Sequence, residues 1–408
     1  MNLRLSPKLG ILMLLMSTLL AVPGCKDLRE VDELNIVLAL GIDETQDQRV
    51  RVTAEIVDPA GTRGPGPSSG GGGQRSQATF TRQQTGKTIE EALDKFEENV
   101  ARHLFLSHNT VVVFGRDYAE HGIDKAMDFM ERNRDLRRNQ LWVVTDRTAS
   151  ELLKASGKPE FYNALAIRSV VQQGVQKSVA VDSIQLRVIK QYLRPSHSPT
   201  LAYVTLVNDK LCQCGIGLFD GGTYKGHITS HDAQALLLFL QDTQQTEITL
   251  PCSDTHSMQT DLGNTFRILH THTHVVPVIL GKEIRFSVKV RGQAEMERLC
   301  PGSKPTPETY KQLESMLDAD IQTRMQKVLT RLQEQETDSV QFANVLFENN
   351  PTVWQQVATG WMEIFPNVQV NYDVQIQLLR HGLASKSPDA EYSPQGLPPS
   401  AGREGAIP

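Results

Sequence analysis

Eleven residues near the carboxyl end constrain the fold most: Val368, Val370, Tyr372, Val374, Ile376 and Leu378 alternate with Gln369, Asn371, Asp373, Gln375 and Gln377. Successive side chains of a strand point to opposite faces, so this segment demands a sheet with one face on a core and one in water. Ile284, Phe286, Val288 and Val290 alternate with Arg285, Ser287 and Lys289 in the same way. Between these strands, Leu313, Leu317, Ile321, Met325, Val328 and Leu332 recur at three- and four-residue steps, predicting one long helix from about Pro307 to Glu336. Trp354 and Trp361, seven apart, are expected on one face of a further helix.

The first half reads differently. Asn35 to Ile42 is a continuous apolar run closed by Gly41-Ile42-Asp43, a buried strand and turn. Val50, Val52, Ala54 and Ile56 alternate with Arg51, Thr53 and Glu55, the pattern of a half-buried strand. Gly61 to Gly73 cannot bury enough apolar surface to be ordered and reads as a flexible loop. Thr88-Ile89-Glu90-Glu91 is a capping box opening a helix whose buried face is Ile89, Leu93, Phe96 and Val100. Strand Thr110–Phe114, helix Ile123–Met130, strand Leu141–Val144 and a helix opening at Ser150–Lys154 follow, the order of an α/β-type sheet covered on at least one face. Arg194-Pro195 to Pro199 reads as a linker, with strands near Leu201–Val207 and Gly215–Phe219 opening the second half.

The expected fold class is therefore α+β: several mixed-sheet, α/β-type domains in one chain, each half a sheet packed with helices. The expected divisions are a leader at 1–24, an N-terminal domain at 25–195, a C-terminal domain at 196–383 and a Pro/Ser/Gly-rich tail at 384–408, expected to be disordered.

The leader has a physical reading. Arg4 and Lys8 precede the apolar block Leu9–Val22, whose fourteen residues would make a helix of roughly 21 Å, short of a ~30 Å hydrocarbon core. That suits a secretory signal rather than a span. Val22-Pro23-Gly24-Cys25 then resembles a bacterial lipobox, with Pro23 an unusual residue at its position. Cys25 is the expected lipid anchor, carrying S-diacylglycerol and an N-acyl chain after cleavage. Two or three acyl chains anchor stably where one is marginal.

Composition excludes more than it identifies. With 42 Lys+Arg against 47 Asp+Glu the formal charge is −5, so no electrostatic footprint for nucleic acid is present. No second apolar run is long enough to span a bilayer. Gly66-Pro67-Ser68-Ser69-Gly70 matches G-x-S-x-G but lacks the strand and helix that hold a nucleophile in its elbow. His270, His272 and His274 would share one face of a strand; same-face neighbours about 6.5–7 Å apart do not easily close on one ion unless Cys252 and His256 complete the site, so a solvent-facing side is expected and no metal. Cys212 and Cys214 read as too far apart for a relaxed mutual disulfide, and the pairing of Cys212, Cys214, Cys252 and Cys300 is left open. Arg132, Arg134, Arg137 and Arg138 form a basic cluster, read as a solvated helix end, with contact to an anionic headgroup or partner as the alternative. No enzyme activity and no cofactor are expected.

Several stretches resemble one family, the Ger(x)C lipoproteins, which are C subunits of nutrient-germinant receptors of bacterial spores. Cys25-Lys26-Asp27-Leu28-Arg29-Glu30 and then Ile36–Asp43 resemble the family's C-W-D-x-x-E opening and its G-I-D strand end. Gly86-Lys87-Thr88 with the helix after it, Leu106-Ser107-His108-Asn109, and Gly115–Ile123 are similar in order. So are Arg132–Arg137, Gly215-Ile216-Gly217-Leu218-Phe219, the long helix, Trp354, Trp361 and Phe365. Lys26, Asp135 and Gly217 depart from the family pattern. The resemblance covers roughly Gly24 to Gly382. It implies a lipid-anchored, non-catalytic subunit on the outer face of the spore inner membrane. It also implies assembly with the A- and B-type receptor subunits and a response to nutrients in germination. Its one position-specific functional residue is the lipidated Cys25. The alternatives are an extracytoplasmic solute-binding lipoprotein of an importer, or a wall-active hydrolase resting on scattered carboxylates alone.

Overall fold

The computed structural model describes residues 30, 33–58, 78–100, 102–155, 160–240, 246–252, 263–300, 303–304 and 306–379. The chain forms two mixed sheets packed with helices, an α+β fold. The first sheet is built from β1 (Leu34–Glu44), β2 (Val50–Val57), β3 (Thr79–Gly86), β4 (His103–Phe105), β5 (Val111–Phe114), β6 (Leu141–Val144), β7 (Thr200–Val207), β8 (Lys210–Asp220) and β9 (Thr223–Thr229). Its order is β3-β2-β1-β5-β6-β7-β8-β9, with β4 beside the start of β1. Strands β1, β5, β6 and β7 are mutually parallel and the flanking hairpin strands antiparallel.

Both faces of its centre are covered. Val112, Phe114, Trp142 and Val144 face α1 (Ile89–Asn99), α2 (Arg116–His121) and α3 (Asp124–Arg132), while Val111, Val113, Leu141 and Val143 face α4 (Ala149–Lys154) and α5 (Asn163–Gln176). Strands buried on both faces need no polar side, which is why β1, β5 and β6 are continuous apolar runs. The expected half-burial of β2 is corrected here. Thr53 and Glu55 are as fully buried as Val52, Ala54 and Ile56, because α4 and α5 close over the second face. The capping box forms as expected: Thr88 Oγ1 accepts the Glu91 N–H at 3.2 Å, and Glu91 reaches back to the Lys87 N–H at 2.8 Å.

The second sheet is β10 (Thr246–Pro251), β11 (Gly263–Leu280), β12 (Glu283–Arg298) and β13 (Gln369–Leu379), in that order. One face packs on α7 (Ser230–Leu240) and α8 (Pro307–Glu334); the shorter α6 (Gln185–Tyr192) stays with the first sheet. Ile284, Phe286, Val288, Val290, Val374 and Ile376 are buried and Lys289, Gln375 and Gln377 exposed, as the alternation requires. All six apolar positions read along α8 are buried, and Thr306 with Pro307 starts the helix.

Two expectations change. The strands from Thr200 to Thr229, which open the expected 196–383 domain, belong to the first sheet, because β7 pairs in parallel with β6 through Val143/Ala202 and Val144/Tyr203. Trp354 and Trp361 do touch, rings 5.7 Å apart and edge-on, but not along one helix. α9 (Phe342–Asn349) is followed by α10 (Pro351–Val357), and a 3₁₀ turn at Ala358–Gly360 separates α10 from α11 (Trp361–Ile364).

Candidate functional site: the junction between the sheets

The chain leaves α8 through Glu336 and returns through Gln341, both at positive φ (50° and 61°), so that Thr337-Asp338-Ser339 is turned fully inward. Thr337 donates its hydroxyl to the Phe219 carbonyl of β8 at 3.0 Å, tying this turn to the first sheet. Asp338 accepts the backbone N–H groups of Phe342 (2.8 Å) and Ala343 (2.7 Å) and so caps α9. Its second oxygen also accepts the Trp361 indole N–H. Gln341 Oε1 accepts from Arg194 at 2.6 Å, and Asn344 Oδ1 accepts the Ser196 N–H at 3.1 Å. The segment read as a linker is therefore not a solvated connection: Ser196 and Ser198 are buried, Ser196 giving its N–H to Asn344 of α9 and Ser198 its hydroxyl to the Ser196 carbonyl.

Burial pushes the Asp338 carboxyl up to about 7, with the N–H donors pulling the other way. Three donors occupy its oxygens, so it is built as an anchor and not as a proton carrier. Asp43 and Glu55 repeat the device. Asp43 accepts from Ala149 (2.6 Å) and Ser150 (3.1 Å) at the start of α4; Glu55 accepts from Asn163 and Ala164 (both 2.8 Å) at the start of α5. Burial raises both above the usual carboxylate range, the N–H bonds partly offsetting it. A negative group at a helix N-terminus is favoured by the free N–H groups and the dipole. Sequence reading missed all three: the partners of Asp43 and Glu55 lie more than 100 residues away, whereas Asp338 caps only four and five residues ahead, a local signal that the reading passed over.

Two surface depressions flank the junction. One, of about 380 Å³, lies between α6 and α7 and is lined by Asp182, Arg187, Lys190, Arg194, Leu237 and Gln341. The other, of about 520 Å³, is lined by Leu193, Pro195, His197, Phe347 and Trp354. A third, of about 270 Å³, sits at the carboxyl ends of β1, β5 and β6, among Asp43, Glu44, Arg116, Asp146, Arg147 and Glu151. Its charges are largely engaged within the protein: Glu44 with His121, Arg116 with Glu120, and Asp146 with the Thr205 hydroxyl.

Cys25 lies outside the described residues, as do Gly66–Gly70 and the tail. His270, His272 and His274 line the exposed side of β11, and no group of three or more metal-ligating side chains occurs among the described residues. In the basic cluster Arg132 pairs with Asp128 and Arg138 with Glu131; Arg134 and Arg137 are exposed. The reading of Cys212 and Cys214 is corrected: they form a disulfide, Cα atoms 5.3 Å apart. Val204 pairs with Gln213 and Tyr203 with Gly215, so Cys214 is the extra residue of a β-bulge that shortens the step between the two sulfurs' strand positions. Gly215, at φ 149°, continues the bulge where a side chain would meet the Ile228 carbonyl. Cys252 pairs with Cys300.

Residues 27–206 match the family described as spore germination protein N-terminal domain, and residues 214–382 match spore germination B3/GerAC like, C-terminal. The chain is 24% identical over 409 residues to spore germination protein KC of Bacillus subtilis (strain 168), covering 92% of this chain and 96% of that protein. To spore germination protein B3 of the same organism it is 23% identical, covering 90% and 96%. The crystal structure of the GerBC protein superposes with a TM-score of 0.55 over 83% of this chain and 96% of that one, at 17% identity, a likeness of fold.

Proposed function

The chain belongs to the spore germination B3/GerAC-like family, and from that premise we propose that it is the lipid-anchored, non-catalytic C subunit of a nutrient germinant receptor. The observation that carries this reading is the ordered match of both family regions, beginning two residues after Cys25. Leader cleavage before Cys25 and its acylation would leave β1 starting nine residues from the anchor. Nine residues span at most about 30 Å, so the first sheet would stay close to the lipid. The body would then sit on the outer face of the spore inner membrane, joined to A- and B-type subunits. The conversion of Asp43, Glu55 and Asp338 into helix caps supports a scaffold role, because buried carboxylates saturated by backbone donors are poorly placed for proton transfer.

Deleting the gene should abolish or slow germination on nutrients while a non-nutrient trigger still works. An unchanged nutrient response, in a strain without a redundant receptor, would refute the receptor role. Intact-mass analysis of the protein from its native host should find Cys25 carrying acyl chains, and Cys25→Ala should move the protein out of the membrane fraction.

A further inference from the structure

We propose that the outward face of α6, with Leu193 and the groove beside it, is a second membrane contact that rests directly on an anionic lipid bilayer. The proposal relies on the lipid-anchored reading of Cys25 for the nearness of that bilayer, and on the residues of α6 for its chemistry.

Position comes first. The Gln185 N–H donates to the Gln140 carbonyl immediately ahead of β6, and Gln191 Oε1 accepts the N–H of Thr200, the first residue of β7. α6 therefore lies across the amino-terminal edge of two parallel strands. The ladder sets Ala39 of β1 level with Val111, Val111 level with Leu141, and Val143 level with Ala202. From that level β1 extends back five residues to Leu34, about 17 Å, toward the same edge. The amino-terminal end of β1, nine residues from Cys25, and α6 thus lie at one edge of the sheet.

Chemistry follows. Arg187, Lys190 and Arg194 fall three and four residues apart and are exposed, while Val188 between them is buried in the core of the first sheet. Leu186 and Leu193, seven apart, are 48% and 71% exposed, and Phe347 across the groove is 46% exposed. Among these cations Arg187 meets one acid, Asp182 at 3.5 Å, and Arg194 a neutral amide. A concentration of positive charge framed by exposed leucines stands out in a chain of net charge −5. Long basic side chains over an apolar fringe suit an interface where leucine enters the acyl boundary and the cations meet phosphate. The charge complementarity and the shared edge with the tether select a bilayer over a second copy of this acidic chain.

The test uses the mature chain carrying Cys25→Ala, which removes the acyl anchor, in flotation with vesicles of phosphatidylglycerol and phosphatidylcholine or of phosphatidylcholine alone. The chain should float with the anionic vesicles, detach as salt is raised, and ignore the neutral ones. Lys190→Glu with Leu193→Asp should weaken flotation by about tenfold or more. Leu280→Asp, at the exposed turn of the second sheet, should leave it unchanged. All three should melt together, since the altered side chains face solvent. Absence of flotation with anionic vesicles overturns the proposal, as does equal flotation of the α6 variant, or an equal loss in Leu280→Asp. The mass of native Cys25 decides the anchor independently, so either idea can fail without the other.

Discussion

Asp338 Oδ2 accepts the indole N–H of Trp361 at 3.0 Å, and both residues are buried. The same carboxylate caps α9, so one side chain joins the turn after α8 to two helical segments. Asp338→Ala would leave three buried donors unpaired and is expected to cost about 3–5 kcal/mol of unfolding free energy, read by urea titration. Trp361→Phe keeps most of the packing and removes one donor, so about 1–3 kcal/mol is expected. Equal costs for the two would argue that ring packing, not the carboxylate, organises the turn.

The same carboxyl predicts a pH effect. Its folded value, about 7, lies above the ordinary aspartate value of 3.8. Between those values the unfolded chain has released the proton while the folded chain holds it, so this group's contribution to stability is full below about 4 and is lost as pH rises to about 7. Asp338→Asn removes the titration. The stability gap between wild type and this variant should therefore narrow from pH 4.5 to 7 and stay constant above; a gap that widens over that window contradicts the assignment.

Glu314 and Asp318, one turn apart on α8, accept the N–H groups of Leu378 (2.8 Å) and Ile376 (2.8 Å) along the outer edge of β13. An open strand edge is a template for pairing with another chain. The double change Glu314→Ala/Asp318→Ala is expected to cost about 1–2 kcal/mol and to produce concentration-dependent self-association in sedimentation velocity.

The two disulfides should differ in value. Cys252–Cys300 closes a 48-residue separation and Cys212–Cys214 only two. Chain entropy assigns about 4 kcal/mol to the first and about 1 kcal/mol to the second. Paired Cys→Ala variants compared in denaturant should keep that order; a reversal would mean that the bulge in β8 depends on its disulfide for more than chain closure.

Gly115 has ordinary backbone angles, φ −69° and ψ 154°, yet a Cβ there would overlap the Asp43 carboxylate that caps α4. Gly115→Ala should therefore destabilise by about 1–3 kcal/mol through overpacking alone, and thermal melting should show the loss relieved in an Asp43→Ala background.

Local regularities were readable directly. The capping box at Thr88 and Glu91, the buried stripe of α8 and the alternation of β12 and β13 each depend on residues a few positions apart. The strands at Leu201–Val207 and Gly215–Phe219 were placed correctly as strands, but their sheet was not, because pairing of β7 with β6 leaves no periodic mark. Glu55 was read as solvent-facing for the same reason: the N–H groups it accepts open a helix more than 100 residues later.

The residues by themselves thus determined the α+β class, the main helices and strands, and the family pattern, since each is written in short-range spacing and residue type. Tertiary structure alone decided which sheet the middle strands join, that Cys214 bulges out to meet Cys212, that Asp43 and Glu55 become caps, and that Asp338 receives the Trp361 indole. Those outcomes come from hydrogen-bond partners brought together by packing, and a buried polar group takes whatever donor the fold delivers to it.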